Sequence, residues 1–563
     1  MQNINHAMKF IIALLTVALT CVYIPNSGGQ GITLPFNVTV ILWIGIALLC
    51  LACRQKHVVI PSGRPSLMML TGGGMVLLPW LFSALDSPGW LVFLVALLLW
   101  CVLIRLHLSM AQKRTVLKVV MVLAVCQSIL GLLQTFSPAW AASVMEYDWV
   151  RNNGRPYGIF QQVNLLGSIV ATGTGCAFLL QLTTRSRLAV WNYFAVTGGL
   201  IFVLSLNQSR AGALGAIIIV LLIAGLIGRQ APWRTYGSLV FMFLAGWAGW
   251  VVTNHLHMLV NGEPYLVARD YAASNSERWN ILRITVQMIL EKPWSGWGYG
   301  NFEYAFSRYV LHHPELNYTY GNVITHPHNE LLYAWFQGGI VACAGMLVML
   351  ATWIYMIFKA FRLSQINGLF SLLIIPLLIH LNLEYPFWQS FIHFAIFLIL
   401  LRLGHCDIPD SVTMSLRTRL WHRGIYSLAG VLLVVFSAVC LFASVRMTRM
   451  ERNHLNDYPP SVPWYYSLQG ERAKFDSMLA LLMTWNRTHD DALLDIYMQQ
   501  AKLWSLRHND RHVWLNMMMI AKYRGNYREL MYLEFLYRRL FPLTIATNNG
   551  NNDRSMSSRS HIN

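Results

Sequence analysis

The chain has 563 residues, of which 56% are hydrophobic and only 12% are charged. Soluble domains carry about 25% charged residues, so a chain with half that density cannot cover its surface with charged side chains. This composition excludes a soluble enzyme, a disordered protein and a small secreted scaffold, and it predicts a polytopic membrane protein. The net charge of +18 is best explained by Lys/Arg-rich cytoplasmic loops, so nucleic acid is not an expected partner.

About thirteen apolar stretches are long enough to cross a bilayer. They lie near residues 9–25, 34–53, 66–85, 89–104, 115–134, 161–182, 188–206, 211–228, 236–254, 329–358, 367–381, 386–401 and 424–445. One stretch is short and polar residues interrupt another, so we expect about 12–13 transmembrane helices. The first stretch resembles a signal peptide, but no small-residue cleavage site follows it, and we interpret it as a retained helix.

Lys and Arg residues concentrate in alternate loops between these stretches. The loops are marked by Arg54, Lys56, Arg64, Arg105, Lys113, Arg114, Lys118, Arg185, Arg187, Arg229, Arg234, Lys359, Arg362, Arg402, Arg417, Arg419 and Arg423. The positive-inside rule places these loops and the N-terminus in the cytoplasm. The polar regions 135–160, 207–210 and 255–328 and the chain after residue 446 then face outward.

This reading divides an all-α protein into six regions. They are 1–134 (N-terminal transmembrane helices), 135–254 (transmembrane helices with arginine-bearing outer loops), 255–328 (a large outer loop of the active site), 329–446 (C-terminal transmembrane helices), 447–546 (a small outer helical domain) and 547–563 (a disordered tail). Apolar residues at helical spacing within 447–541 predict short helical hairpins. We describe this domain as TPR-like, although it shows no clean 34-residue period.

Several arginines lie in the outer loops, where the positive-inside rule does not favour them. Arg210 stands in a polar break between two apolar helices, and a charge so close to the hydrocarbon is costly and usually functional. Arg155 follows a glycine in a turn, and Arg278 opens an amphipathic segment. Guanidinium groups pair phosphate oxygens bidentately, so converging arginines predict a phosphorylated ligand. Each arginine also has an alternative interpretation. In it, Arg210 snorkels to the membrane surface from a helix end, Arg155 is a structural loop residue, and Arg278 lies on a solvated helix face.

Two histidines precede the helix that re-enters the membrane after the large outer loop. His328 lies at the start of this helix, and histidine has the pKa of a general base near neutral pH. His326 and His328 also have the spacing of a metal site, but no third ligand stands at a usual distance. We therefore favour a catalytic base over a metal site or structural histidines.

Glu384 is a carboxylate between two membrane helices and needs a partner there, which we expect to be an arginine or a histidine. His380 shares a helical face with it at i, i+4. The alternative is a structural ion pair that braces the helices.

Four blocks of sequence resemble the bacterial O-antigen ligase/polymerase superfamily. They are Arg155-Pro156-Tyr157-Gly158-Ile159-Phe160 with Asn164; Ser209-Arg210-Ala211-Gly212; Glu277-Arg278-Trp279 followed by Pro293-Trp294-Ser295-Gly296-Trp297-Gly298-Tyr299-Gly300-Asn301-Phe302; and His326-Pro327-His328-Asn329-Glu330. The block around Glu384 and the helical tail look more like the branch of protein (pilin-type) O-oligosaccharyltransferases.

The resemblance implies a glycosyltransferase of the bacterial inner membrane whose active site faces the periplasm. Such an enzyme moves a glycan from undecaprenyl pyrophosphate to Ser or Thr hydroxyls of exported proteins such as pilins, without a metal or another cofactor. His328 would be the base, and Arg210 and Arg278 would hold the pyrophosphate. The remaining expected substrate-binding residues are Arg155, Tyr157, Asn164, Arg269, His326, Asn329 and Glu384.

Two other interpretations stay open at this point. An O-antigen ligase acting on lipid A-core, or an O-antigen polymerase, would share the donor chemistry and differ in the acceptor. A transporter or flippase for a lipid-linked substrate would instead line a path with these arginines and with Glu384. Transporters usually show repeats between their two halves, and we find none.

Overall fold

The computed structural model describes residues 23–54, 58–60, 63–82, 89–104, 108–260, 262–267, 272–316, 318, 323–405, 410–412, 416–459 and 461–541. Nearly all of the predicted span 9–25 lies outside these described residues. So do Arg269 and the predicted disordered tail 547–563.

The described chain is built from helices α1–α21. They are α1 Pro35–Arg54, α2 Arg64–Leu77, α3 Gly89–Leu103, α4 Met110–Phe136, α5 Pro138–Met145, α6 Val163–Thr183, α7 Arg187–Asn207, α8 Arg210–Ile227, α9 Pro232–His255, α10 Ala272–Glu291, α11 Phe302–His312, α12 Glu330–Leu363, α13 Gln365–Leu372, α14 Ile375–Leu381, α15 Pro386–Gln389, α16 Phe391–Gly404, α17 Leu416–Arg452, α18 Glu471–Thr488, α19 Ala492–Trp504, α20 Arg511–Tyr523 and α21 Tyr527–Leu540.

Within the described residues, eight helices are long and apolar enough to cross a membrane, and four shorter apolar helices accompany them. Every predicted span from residue 34 onward coincides with one of these helices or helix pairs. The prediction of an all-α polytopic membrane protein is therefore confirmed.

Strands are few and short in the described chain. The strands β1 (Val58–Ile60) and β4 (Asp410–Val412) pair antiparallel, with Val58 opposite Val412. The strands β2 (His257–Val260) and β3 (Glu263–Leu266) form a hairpin at the start of the large outer loop. Two helices, α10 and α11, make up most of the rest of that loop.

Helix α6 lies at the centre of the membrane bundle, because 89% of its membrane-spanning window is buried. A helix that is hydrophobic on all sides is stable only when other helices surround it, and α4, α7 and α8 do so here. Helix α1 packs along α17, and α2 packs along α12. The central position of α6 matters for function, since its first turn carries Asn164.

The tail forms two helical hairpins, α18–α19 and α20–α21, around a core that includes Tyr497, Trp514 and Met517. Helix α17 continues to Arg452, past the predicted domain boundary at 446/447. Its last turns pack against the first part of the tail through Met447. The membrane bundle and the tail therefore share a continuous helix.

Candidate active site

The turn that carries Arg155 is held by two glutamines of α4. The side-chain carbonyl of Gln134 accepts hydrogen bonds from the backbone N–H groups of Tyr157 and Gly158, both at 2.9 Å. Gln127 accepts another from the N–H of Ile159 at 3.0 Å. Because backbone polar groups buried away from water need partners, these buried glutamines determine the shape of the turn.

Arg155 joins this turn to the break between α7 and α8. Its Nε donates to the carbonyl oxygen of Asn207 at 3.1 Å, and its Nη2 lies 3.5 Å from the carbonyl oxygen of Gln208. A cation is favourable at this position, because the free carbonyl groups of a helix C-terminus carry partial negative charge. The fully buried Asn207 completes the junction by donating to the carbonyl oxygens of Pro156 and Val163 at 2.7 and 2.9 Å.

Helices α6 and α8 approach closely where α8 begins. A Cβ atom on Gly212 would lie 2.7 Å from the backbone of Gly167, so only glycine fits, as is common where membrane helices cross. The close crossing lets Ser209 donate to Asn164 Oδ1 at 2.8 Å while it caps α8 by accepting from the N–H of Gly212. Arg210, the first residue of α8, therefore follows directly after the residue that contacts Asn164.

Glu384 is the centre of the site, and four side chains point their donors at its carboxylate. Arg278 donates at 3.1 Å and Asn164 at 2.5 Å to one oxygen. Gln162 donates at 2.6 Å to the other, and His380 Nε2 lies 3.3 Å from it. A buried carboxylate is stable only when it is paired and hydrogen-bonded, and here both conditions hold. The expected partnership of Glu384 with an arginine and a histidine is present.

A buried row of side chains continues behind Glu384. His380 Nδ1 lies 2.9 Å from the hydroxyl of Ser168, and both residues are fully buried. Because a carboxylate only accepts hydrogen bonds, His380 donates to Glu384 through Nε2, and its Nδ1 shares a hydrogen bond with the Ser168 hydroxyl. The carbonyl oxygen of Leu165 accepts a hydrogen bond from His393 Nε2 at 2.8 Å.

The two histidines of the fourth motif lie next to this carboxylate. The rings of His326 and His328 are 4.3 Å apart, and the ring of Tyr385, the residue after Glu384, lies 3.4 Å from that of His326. His328 has a φ of 58°, a left-handed conformation that is uncommon for residues other than glycine. His326 is buried, whereas His328 is half-buried.

One nitrogen of each of these histidines is buried without a hydrogen-bond partner, His326 Nε2 and His328 Nδ1. The backbone carbonyl of Leu383 bonds to the His328 ring. Since that bond uses the ring N–H, Nδ1 keeps an unshared electron pair. Unpaired buried nitrogens are rare in proteins, and the electron pair on Nδ1 makes His328 chemically able to accept a proton.

Electrostatics keep these groups in defined charge states. Burial lowers the pKa of His328, and the positive charge of Arg278 lowers it further. Burial likewise lowers the pKa of His326, together with the neighbouring ring of His328. Burial alone would raise the pKa of Glu384, but the hydrogen bonds from His380 and Gln162 and the charge of Arg278 lower it to about 2. At neutral pH His326 and His328 are therefore neutral imidazoles, and Glu384 is a carboxylate.

The start of α12 fixes the histidine segment to the rest of the site. Asn329 caps this helix by accepting from the N–H of Leu332 at 3.0 Å, and its amide lies 3.5 Å from that of Asn382. Glu330 accepts a hydrogen bond from Trp388 Nε1 at 3.1 Å. Asn329 thus contributes helix geometry, and its predicted role in substrate binding stays a prediction.

The structure gathers most of the predicted site residues but not all of them. Arg278, Glu384, Asn164, His326 and His328 form one cluster, to which the α7–α8 break brings Arg155 and Arg210. Tyr157 is buried and packs edge-on against Tyr147 at 5.0 Å, away from open space. Arg269 is not among the described residues. In the described part of the chain, no group of three or more His, Cys, Asp or Glu residues could hold a metal ion.

Four residues of the site were not predicted from the sequence: Gln162, Ser168, Asn207 and Ser209. Each is a polar residue inside or at the end of an apolar helix, where an unpaired polar group is expensive. That cost is a usable signal. It could have identified these residues as members of a polar network, although not their partners.

Two family models match this chain. The model described as O-Antigen ligase matches residues 195–347, a range that contains Arg210, Arg278 and His328. The model described as Virulence factor membrane-bound polymerase, C-terminal, matches residues 369–508 and contains Glu384. The chain belongs to the O-antigen ligase superfamily. Arg278 lies in the first matched range and Glu384 in the second, so their ion pair joins the two ranges.

Curated relatives of this superfamily member have related names. The chain is 24% identical over 299 residues to a General O-oligosaccharyltransferase of Acinetobacter baylyi. This alignment covers 49% of this chain and 49% of the relative. The chain is 27% identical over 176 residues to an O-antigen ligase of Salmonella typhimurium. This alignment covers 30% of this chain and 41% of the relative. The similarity thus spans about half the length of these relatives or less.

Proposed function

We propose that this protein is an O-linked oligosaccharyltransferase. It moves a glycan en bloc from undecaprenyl pyrophosphate to Ser or Thr hydroxyls of exported proteins such as pilins. The observation that carries the proposal is the juxtaposition of His328, which has an unpartnered ring nitrogen, with the Arg278–Glu384 ion pair at one end of a membrane bundle. A base beside fixed cations suits the attack of a hydroxyl on a glycan bound to pyrophosphate.

Arginines are suited to the donor's leaving group. Arg278 is held by Glu384 through one nitrogen, while 31% of its side chain stays exposed, so its charge remains available to a ligand. Arg210 is exposed at the first turn of α8, where the helix N-terminus also attracts anions. These two residues bind the pyrophosphate, and Arg155 orients the loop that holds Arg210. Arg269 and Asn164 complete the expected contacts with the donor, whereas the buried Tyr157 supports the turn that carries Arg155.

The reaction is a single displacement at the anomeric carbon. Nδ1 of His328 takes the proton of the acceptor hydroxyl while the hydroxyl oxygen forms a bond to that carbon. The bond from the carbon to the phosphate oxygen breaks, and undecaprenyl pyrophosphate leaves with the electron pair. Arg210 and Arg278 stabilise the negative charge on the leaving group. Attack opposite the leaving group inverts the anomeric centre. Because Nδ1 is shielded in this structure, the segment that carries His328 opens for the acceptor.

The remaining residues prepare this step. Glu384 orients Arg278 and keeps the site from carrying only positive charge. His326 packs against His328 and Tyr385 and supports the base. The positive charges that a metal supplies in other glycosyl transfers come from guanidinium groups here. The Lys/Arg pattern of the loops places this site on the periplasmic side of the bacterial inner membrane.

The acceptor is the most specific part of the proposal. The name of the Acinetobacter baylyi relative, General O-oligosaccharyltransferase, supports transfer of an oligosaccharide to an oxygen atom, and the helical tail on the same side as the site supports a protein acceptor. An O-antigen ligase that acts on lipid A-core is the second candidate, because the Salmonella typhimurium relative has that name. Both candidates use the same donor chemistry and the same residues.

A transfer assay in cells that make an undecaprenyl-linked glycan tests the proposal. Cells carry a pilin-like acceptor and a ligase-deficient lipid A-core background, so both acceptors are scored together. The wild type should put glycan on the protein, and His328→Ala should lose it. His255→Ala is the matched control, because His255 is exposed at the end of α9. Glycan only on the lipid core would replace the first candidate by the second, and glycan on neither acceptor would contradict both.

The choice between the two histidines is part of the same assay. His326→Ala should be milder than His328→Ala, because His326 is buried and touches the base rather than the acceptor. The reverse order would assign the base to His326.

A further inference from the structure

A cavity of about 1070 Å³ lies between the tail and the end of the membrane bundle. Its walls come from the segment 27–33, the turn 299–301, the end of α17 and the helices α18 and α19. Neither the candidate histidines, His326 and His328, nor the Arg278–Glu384 pair lines it. Ligand pockets typically enclose about 300–1,000 Å³ and occur preferentially between domains, and this cavity has that size and that position.

Polar atoms that lack partners line this cavity. Gln469 Oε1 and Trp504 Nε1 are buried and make no hydrogen bond, while the buried Asp476 hydrogen-bonds to Glu451. Gln469 and Asp476 are more than nine-tenths buried, at 1% and 4% exposure. Most buried polar groups in proteins are satisfied. Two unsatisfied groups on the wall of one cavity, an acceptor on Gln469 and a donor on Trp504, therefore indicate a ligand that offers both donors and acceptors.

Glycines leave open space on two sides of the cavity. A Cβ atom on Gly28 or on Gly470 would meet nothing within 4 Å, and both glycines have positive φ angles, +88° and +55°. Glycine is the usual residue where a backbone must come close to a ligand. The two glycines therefore leave room for a main chain to pass between them.

The charges on the cavity wall are mixed and mostly paired. Glu451 receives two hydrogen bonds from Arg472, at 2.7 and 2.8 Å. Arg487 donates to the carbonyl oxygen of Asn456 at 3.1 Å. Phe475, Leu479 and Met483 add apolar surface. A lipid chain would not bind among these charges, and a polyanion would meet carboxylates, whereas a polypeptide offers alternating polar and apolar groups.

A short line of contacts connects the cavity to the candidate base. Tyr299 on the cavity wall stacks on Trp80 with ring centroids 3.9 Å apart, and Trp80 lies 6.1 Å from Trp388. Trp388 donates to Glu330, which stands two residues after His328. These contacts connect the cavity wall to the start of α12, two residues from His328.

We propose that this cavity binds an extended segment of the acceptor polypeptide, and that it presents the neighbouring Ser or Thr hydroxyl to His328. The inference rests on the proposed function, because it requires a protein acceptor. The lipid-linked donor reaches the site from the membrane side, so the two substrates approach from different directions. The tail and the bundle then act together as one acceptor-binding cleft.

Filling the cavity tests this assignment. Asn486 lines the cavity from α18 and is exposed, so Asn486→Trp places a large ring in the cleft without disturbing a core. Gln500→Trp is the matched control, because Gln500 is exposed on α19 and does not line the cavity. With the full-length protein in membranes and a pilin-like acceptor, Asn486→Trp should raise the KM for the acceptor by at least about tenfold. The KM for the lipid-linked donor should not change.

A cross-linking measurement keeps the test independent of turnover. A photoreactive benzoylphenylalanine at position 486 should cross-link to the pilin-like acceptor, and the same group at position 500 should not. Equal acceptor KM values for the two tryptophan variants, together with equal cross-linking, would overturn the cavity assignment. Transfer to protein by the wild type, lost in His328→Ala, would at the same time leave the proposed function intact. Transfer only to lipid A-core, without a cross-link at position 486, would overturn both.

Discussion

Two buried carboxyl groups in this protein have opposite surroundings. Glu384 is surrounded by four hydrogen-bond donors and pairs with Arg278. Asp476 lies on the wall of the tail cavity and hydrogen-bonds to a second carboxyl group, that of Glu451. The first group is ionised, with a pKa of about 2, and the second has its pKa raised to about 8 by burial and by the charge of Glu451.

This difference separates two kinds of site. A fully satisfied polar network is rigid, because every member is held by its neighbours, and such rigidity suits groups that must stabilise a transition state. An incompletely satisfied pocket gains its missing hydrogen bonds from a ligand. We therefore assign chemistry to the surroundings of Glu384 and acceptor binding to the surroundings of Asp476.

The largest effect is expected from removing the cations beside Glu384. Arg278→Ala should lower glycan transfer by about 10²–10³-fold, the loss typical of removing one group that stabilises a transition state. Arg210→Ala should abolish transfer as well, while both variants insert and accumulate normally. Arg278→Lys is the matched control, since it keeps the charge but not the bidentate geometry, and it should retain part of the activity. Wild-type transfer by Arg210→Ala would remove that residue from the mechanism.

Removing the charge at the centre of the network should have a smaller effect. Glu384→Gln cannot accept all four hydrogen bonds, because its amide nitrogen is itself a donor. Arg278 then loses its orientation, and we expect transfer to fall by about 10- to 100-fold. Initial rates at equal protein levels measure this fall. Unchanged rates in Glu384→Gln would show that Arg278 needs no counter-charge.

A still smaller effect is expected from replacing His380, which supports the Glu384 carboxylate. His380 contacts Glu384 and Ser168, not the substrates, so we regard it as a positioning residue. His380→Ala should lower kcat by about tenfold and leave the KM values for donor and acceptor unchanged. His380→Gln can still donate to Glu384 and should restore part of kcat. A change in KM with constant kcat would contradict the positioning role.

The smallest effect concerns the stability of the tail, and its pH dependence follows from two groups. Burial alone would lower the pKa of His508, but its hydrogen bonds to Glu303 and Glu471 raise it to about 9. A raised histidine pKa stabilises the folded state below the unfolded value of about 6.5, and this contribution is lost as the pH rises through about 9. The raised pKa of Asp476 acts in the same direction, since its ionisation becomes costly between about pH 4 and pH 8.

We therefore expect the tail to lose a few degrees of melting temperature between pH 6.5 and pH 9. Limited proteolysis of the detergent-solubilised protein along a temperature ramp measures this. Asp476→Asn should remove part of the loss and match the wild type near pH 4, and His508→Gln should remove another part. A melting temperature that rises toward pH 9 would contradict both assignments.

The membrane helices and the candidate residues were predictable from the sequence because both signals are local. An apolar stretch is recognisable from about 20 consecutive residues, and every predicted span from residue 34 onward is a helix or a pair of helices in the structure. Arg210 and Glu384 stood out because a charge near hydrocarbon is expensive, and Arg278 stood out because it lies in an outer loop, where the positive-inside rule does not favour it. The partner of Glu384 at His380 was also local, four residues away on one helix.

Only the tertiary structure decided which of these residues meet. Asn164 lies 220 residues before Glu384 in the chain, and the two come together because α14, which ends just before Glu384, packs against α6. His508 reaches Glu303 over 205 residues, and neither residue carries a sequence signal for the other. The cavity around Asp476 exists because the tail packs against the end of α17. Hydrophobicity and helix length are properties of single segments, whereas hydrogen-bond partners and cavities depend on how the segments pack.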